Sequence, residues 1–330
     1  MLLAHGSGGK LMHDLIARSL VGPLANPILN TQDDSAVLDL SGRLAFTTDS
    51  YVVNPIFFPG GDIGRLAVCG TVNDLSTAGA VPKYLSLSFI IEEGLLVADL
   101  ERIVDSIRQA ALEAGVVIVT GDTKVVNKGG ADRLFVNTSG VGIIPDGVSI
   151  SGANARPGDK VIVSGTLGDH GIAILSQREG LRFGTPVPSD CAPLNRLVAE
   201  MLAVSPNIHS LRDPTRGGLA TTLNEIAQQS RVGIRIEEGS VPVSRTVLGA
   251  CEMLGFDPLY VANEGKMVAI VAPEDAERVL ATMKANRYGA RSAIIGEVRA
   301  ENPGRVVMKT RLGASRIVDV LVGELLPRIC

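Results

Sequence analysis

Pro145-Asp146-Gly147-Val148-Ser149-Ile150-Ser151-Gly152-Ala153-Asn154-Ala155-Arg156-Pro157-Gly158-Asp159 places two turn clusters close together near the middle of a 330-residue chain. Proline presets φ and glycine supplies left-handed backbone, so such clusters read as connections rather than as elements. One hydrophobic core seldom organises a chain this long. A domain boundary is therefore expected here, with domains at 1–150 and 151–317 and a flexible tail at 318–330.

Working outward, both flanks alternate strand and helix patterns. Toward the start, strands are expected at 134–144, 116–120 and 83–91, an amphipathic helix at 97–114, and two strands at 35–40 and 44–48 joined by Ser41-Gly42. Between them, 62–80 recurs in small and apolar residues at helical spacing, with Asn73-Asp74 set inside, so a mostly buried helix must accommodate a carboxylate. Toward the end, strands are expected at 160–164, 233–236, 267–271 and 293–298, and helices at 169–177, 193–204, 215–229, 244–254 and 273–285. The fold class that follows is α/β (α+β) in two units of similar size.

Composition narrows the function. A formal net charge of -4 supplies no field for nucleic acid or an anionic membrane, and with 3% aromatic residues and no Trp there is little to stack on bases. Cys69, Cys191, Cys251 and Cys330 form no CxxC or metal-ligand spacing, which fits a reducing compartment. With no secretory pattern and no apolar run of about 18 residues, a cytoplasmic location is expected.

Carboxylates gather at strand ends and turns of the first half: Asp33, Asp34, Asp49, Asp74 and Asp122. Singly, each also fits a turn or cap. Jointly, two carboxylates about 4 Å apart repel by roughly 4 kcal/mol at an effective dielectric near 20, a cost a divalent cation removes. Oxygen ligands without His or Cys point to magnesium rather than zinc. Two loops suit anions: His5-Gly6-Ser7-Gly8-Gly9-Lys10, which lacks Walker A spacing, and Asp213-Pro214-Thr215-Arg216-Gly217-Gly218 at an expected helix start, where Arg216 adds a charge-assisted fork. Cys330, closing Pro327-Arg328-Ile329-Cys330, is a candidate carrier of a covalent group, although the adjacent carboxylate disfavours its thiolate. Cys69 and Cys251 read as core thiols.

Taken together, Asp33-Asp34-Ser35-Ala36-Val37, Thr47-Thr48-Asp49-Ser50, Asn73-Asp74-Leu75, Gly121-Asp122-Thr123 and Asp213-Pro214-Thr215-Arg216-Gly217-Gly218 resemble the superfamily of aminoimidazole ribonucleotide synthetase, selenophosphate synthetase and thiamine-monophosphate kinase. Within it, the glycine loop, Asn263-Glu264-Gly265-Lys266 and the closing Pro327-Arg328-Ile329-Cys330 are similar to the HypE family of hydrogenase maturation proteins. The resemblance implies a two-domain PurM-like fold and a homodimer that pairs N-terminal sheets, with ATP and Mg2+ in a groove near the interface. It further implies that a carbamoyltransferase, HypF, loads Cys330, that ATP drives dehydration of the S-carboxamide to an S-cyanide (thiocyanate), and that a HypC–HypD scaffold takes the cyano group to iron.

On that resemblance Cys330, Lys124 and Glu264 are the expected catalytic residues. Gly8, Gly9, Lys10, Asp49, Asn73, Asp74, Asp122, Thr123 and Arg216 are expected at the nucleotide, and Asp33, Asp34, Asp49, Asp74 and Asp122 at the metal. Lys124 alternatively stabilises phosphate, and Glu264 alternatively is a turn carboxylate paired with Lys266. Two rival readings are a small-molecule kinase or synthetase of the same fold with an incidental Cys330, and an ATP-gated carrier without chemistry.

Overall fold

The computed structural model describes the chain except for Ser7, Arg182, Val322, Glu324 and Leu325, so one residue of the glycine loop and three of the tail lie outside the described residues. After the glycine loop come α1 (Lys10–Leu15), a π-helical turn (Ile16–Val21) and α2 (Gly22–Leu24). The long edge strand β1 (Arg43–Tyr51) is followed by the small hairpin of β2 (Phe57–Phe58) and β3 (Gly61–Asp62). Asp62 then caps α3 (Ile63–Thr77), its carboxylate accepting from the Gly64 and Arg65 amides, as a helix start requires. β4 (Val81–Glu92), α4 (Val97–Ala114), β5 (Val117–Val126) and β6 (Leu134–Ile144) complete this half.

These strands form a sheet ordered β1-β6-β4-β5, antiparallel except for β4 with β5. One face carries α3, nearly all of it buried as its small-residue pattern predicts. Residues 35–40 form no strand, contrary to expectation, and Val37 is exposed. Their alternation suits a strand, but a ladder needs a neighbour, and β1 is paired to β6 alone.

Beyond Pro145, the second half runs β7 (Lys160–Val163), α5 (Asp169–Arg178), α6 (Asn195–Val204), β8 (Ile208–Arg212), α7 (Gly218–Ser230), β9 (Gly233–Glu237), α8 (Arg245–Leu254), β10 (Val268–Val271), α9 (Ala276–Ala285), β11 (Ala293–Arg299), β12 (Val306–Lys309) and β13 (Ser315–Val318). Seven strands, ordered β13-β12-β9-β11-β7-β10-β8, make a second mixed sheet. Leu219, Leu223 and Ile226 of α7 pack on one side of it, and Leu197, Met201, Val279 and Met283 of α6 and α9 on the other. β8, β12 and β13 were not expected, being four- or five-residue runs with charges in them. α7 begins at Gly218 rather than at Thr215, because Gly217 and Gly218 both take positive φ before the helical turn can start.

The two halves share a core. Ile174, Cys191, Ala262 and Ile329 from the second half are buried with Leu66, Cys69 and Val72 of α3. No helix among the described residues is long and apolar enough to cross a membrane.

Candidate active site

The segment from Asp190 to Leu194 lies along one stripe of α3, formed by Arg65, Cys69 and Asn73 at i, i+4 and i+8. Arg65 Nε donates to the Cys191 carbonyl at 3.1 Å, and Asn73 Nδ2 to the Ala192 carbonyl at 3.0 Å, while Asn73 Oδ1 accepts from the Leu194 amide at 2.8 Å. Cys69 lies between these anchors and meets the Cys191 thiol. Asn73 Nδ2 also reaches the Glu264 carbonyl at 3.4 Å. Asn73 was expected at the nucleotide; its carboxamide is instead engaged by backbone that ties the halves together.

Around Glu264, Asn263 Nδ2 donates to the Pro214 carbonyl at 2.9 Å and Asn263 Oδ1 accepts from the Gly168 amide at 2.8 Å. The Glu264 amide donates to Asp190 Oδ1 at 3.0 Å. Gly265 is required here, since a Cβ would stand 1.8 Å from the Asp190 carbonyl oxygen. The expected alternative pairing of Glu264 with Lys266 does not occur. Lys266 Nζ binds Asp190 Oδ2 at 2.9 Å, with Asp169 Oδ2 at 4.0 Å, so its charge is already engaged. Burial disfavours ionised Asp190, yet Lys266 holds it below the usual carboxylate range.

Glu264 is thus left 3% exposed with its Oε1 unpartnered among the described residues. Burial first, and then Asp213, Asp190, Asp49 and Asp74, push its pKa well up. The same field raises Asp74 to about 6 by burial and by Asp49, against a 3.0 Å bond from Thr47 Oγ1. Asp213 rises to about 7 by burial and by Asp74.

Into this acidic cleft comes the tail. Cys330 lines a cavity of about 240 Å³ with Val52, Arg216, Gly217, Tyr260 and Ala262. Burial raises its thiol pKa, as do Glu264, which is hydrogen-bonded to it, and Asp49; Arg216 opposes them.

The five carboxylates expected at one metal do not converge within one chain. Asp49 pairs with Thr138, in line with Leu87 and Gly121, whereas Asp122 lies in the next row with Ser88, Asn137 and Ser50, on the opposite face. β1 and β5 are moreover the two edges, three strand spacings or about 14 Å apart. Asp122 and Thr123 line a separate cavity of about 260 Å³ with Asp33, Phe89, Met12 and His13. Gly8, Gly9 and Lys10 lead into the helix that bears these last two residues. Asp34 is exposed beside Asp33. Lys124 pairs with Asp122 at 2.9 Å, which lowers that carboxyl, and stands away from the Cys330 cleft of its own chain. Among the described residues no three His, Cys, Asp or Glu side chains are grouped tightly enough to hold an ion by themselves. Asp213 and Asp190 were not expected among the acidic groups of the cleft. Asp213 stood in a motif read only for its phosphate-binding turn, and no local pattern marks Asp190.

The raised Asp213 gives a stability prediction. Folding favours its protonated form, so the stability this adds is fully present below about 3.8, the unfolded value, and is lost as pH rises through about 7. Asp213→Asn should therefore raise the unfolding free energy by about 2–4 kcal/mol at pH 8 and hardly at all at pH 4, read by denaturant titration. Equal gains at both pH values would mean that no charge strain exists there.

Two domain families cover most of the chain: AIR synthase related protein, N-terminal domain, at residues 32–144, and AIR synthase related protein, C-terminal domain, at 156–309. The carbamoyl dehydratase HypE of Rhizobium leguminosarum bv. viciae is 55% identical over 330 residues, covering 99% of this chain and 94% of that protein. A crystal structure of the hydrogenase maturation protein HypE in complex with ATP superposes with a TM-score of 0.97 at 54% identity, covering 100% of this chain and 99% of the other. A HypE-HypF complex matches with a TM-score of 0.83 at 50% identity, covering 95% and 100%.

Proposed function

Because the chain belongs to the carbamoyl dehydratase HypE family, we propose that it uses ATP to dehydrate an S-carboxamide on its own Cys330 to the S-cyanide, for cyano-ligand supply in nickel-iron hydrogenase assembly. The observation that carries this reading is the seating of the Cys330 thiol on Glu264, in a cleft whose other charges suit a nucleotide.

An amide oxygen leaves only once it is activated. Transfer of the ATP γ-phosphoryl group to the carboxamide oxygen breaks its bond to ADP, which departs, and as one N–H proton is lost the C=O π bond gives way to an O–P bond and a C=N bond. Loss of the second N–H proton expels the oxygen within inorganic phosphate and leaves the nitrile. Glu264 is the base: it takes the first proton, passes it to a phosphate oxygen and so is free to take the second, its raised pKa making it a stronger acceptor and its Oε1 being unengaged. Arg216, beside Cys330, steadies phosphoryl charge.

The mutual repulsion of Asp49, Asp74 and Asp213 fits a nearby cation; too spread to hold one by themselves, these residues would hold Mg2+ only together with nucleotide phosphates, against which it supplies positive charge. Gly8, Gly9, Lys10, Asp33, Asp34, Asp122 and Thr123 are assigned to the nucleotide from the other edge of the sheet.

The confinement of each sheet to one side of Pro145 supports domains at 1–150, for nucleotide binding and dimerisation, and 151–317 with a tail at 318–330, the tail's first residue, Val318, being still the buried end of β13. A homodimer through the first sheet is favoured by its uncovered face. There Leu44, Phe46, Ile90 and Val117 are exposed, Phe46 by 74%. Asp122 and Lys124 lie on this face and would meet the partner's sheet, which gives Lys124 a route to phosphate. Phe46→Asp should convert a dimer to monomers in sedimentation velocity; an unchanged dimer would place the interface elsewhere.

HypF as carbamoyl donor, HypC–HypD as acceptor and a cytoplasmic setting complete the reading. All four cysteines are free, including the adjoining Cys69 and Cys191, in keeping with a reducing compartment. The test is the intact mass of carbamoylated protein before and after ATP and Mg2+. The expected result is loss of one water, with heavy oxygen placed in the carboxamide recovered in phosphate. Unchanged mass would reduce the chain to a passive carrier.

A further inference from the structure

We infer that Arg178 and His170, both on α5, are positioning residues that seat the tail so that the group on Cys330 meets Glu264, an inference that rests on the dehydration reading. Every carbonyl from Pro327 to Cys330 accepts a hydrogen bond from the body of the chain. Arg178 Nη1 reaches the Pro327 oxygen at 2.7 Å and Nη2 the Arg328 oxygen at 2.7 Å, while its Nε holds the Asn54 oxygen at 2.9 Å. His170 Nε2 reaches the Ile329 oxygen at 2.7 Å. The amides of Asn54 and Val52 donate to the oxygens of Arg328 at 3.1 Å and Cys330 at 3.2 Å.

Because the tail is gripped by its backbone, the grip sets register. A slip of one residue would move Cys330 by about 3.3 Å, outside hydrogen-bond reach of Glu264. The ring of His170 is fully buried and edge-on to Phe58, with centroids 5.5 Å apart. A carbonyl can only accept, so Nε2 carries the proton and Nδ1 accepts from Ser189 Oγ at 2.8 Å. Ser189 Oγ in turn accepts from the Cys191 amide at 3.1 Å. The next residue, Asp190, holds the Glu264 amide. One short segment thus fixes both the seat of the tail and the base that acts on it.

Two readouts test this. In single-turnover reactions of carbamoylated protein with ATP, Arg178→Ala should slow water loss about ten- to a hundred-fold, with ATP affinity unchanged and Arg178→Lys, which keeps the charge but loses the fork, rescuing only part. In unmodified protein, iodoacetamide should alkylate Cys330 faster in Arg178→Ala by a similar factor, because the thiol leaves its buried seat. Should Arg178→Ala melt early, Arg178→Lys and His170→Gln carry both measurements. Alkylation and water loss both at wild-type rates would overturn the seat. Faster alkylation in a protein whose wild type never loses water would keep the seat and overturn the dehydration reading instead.

Discussion

Replacing Cys330 with alanine should leave a folded protein that still binds ATP and forms no nitrile at all. The loss is total rather than graded, because the sulfur is the atom that carries the substrate. Cys330 contributes less to the fold than its neighbour: the seat of the tail is made by backbone carbonyls, and Ile329 is buried in the shared core against which Cys330 only packs, partly buried. Thermal melting should therefore stay within a few degrees of the parent. Incubation with the carbamoyl donor system and ATP, followed by intact-mass measurement, should show neither addition of a carbamoyl group nor subsequent water loss. A kinase acting on a free small molecule would keep its full ATP-dependent turnover in this variant, and that result would reject self-modification outright.

Much of this was legible in the residues, for identifiable reasons. The long apolar periods gave α3, α4, β4 and β6, because burial of one face imposes period 3.6 or 2 on any sequence that folds this way. The turn clusters at 145–159 separated the sheets. Pairing failed to be legible where it depended on a distant neighbour: residues 35–40 alternate like a strand and pair with no strand among the described residues, whereas the charged Ser315–Val318 pairs with β12.

At the site, Asp49, Asp74, Arg216, Glu264 and Cys330 do share one cleft. Grouping Asp122 with Asp49 failed because strand ends that reach the same end of a sheet can still face opposite sides of it, and a one-residue offset in register decides which. Glu264 and Lys266 looked like a pair because they stand two apart in sequence. Lys266 turned instead to Asp190, 76 residues away in sequence, and left Glu264 unneutralised. No local pattern could reveal this, and it is what suits Glu264 to the proposed role of base.

Glu264→Gln is expected to slow dehydration of carbamoylated protein by about 10²- to 10⁴-fold, the usual worth of a positioned general base. Loading of Cys330 by the carbamoyl donor should be unaffected. In the parent, only ionised Glu264 accepts the nitrogen proton, so the single-turnover rate should climb as pH rises through its elevated pKa; the variant's rate should lack that limb. The same shift has the opposite consequence for stability. Since folding favours the protonated carboxyl, the stability it adds is complete below the unfolded value near 4.5 and is lost as pH rises through the higher folded value. Glutamine never ionises, so at alkaline pH the variant should be more stable than the parent while being far slower. A merely structural Glu264 would move both quantities downward together, and a variant that dehydrates at the parental rate would pass the role of base to another group, with Lys124 the first to examine.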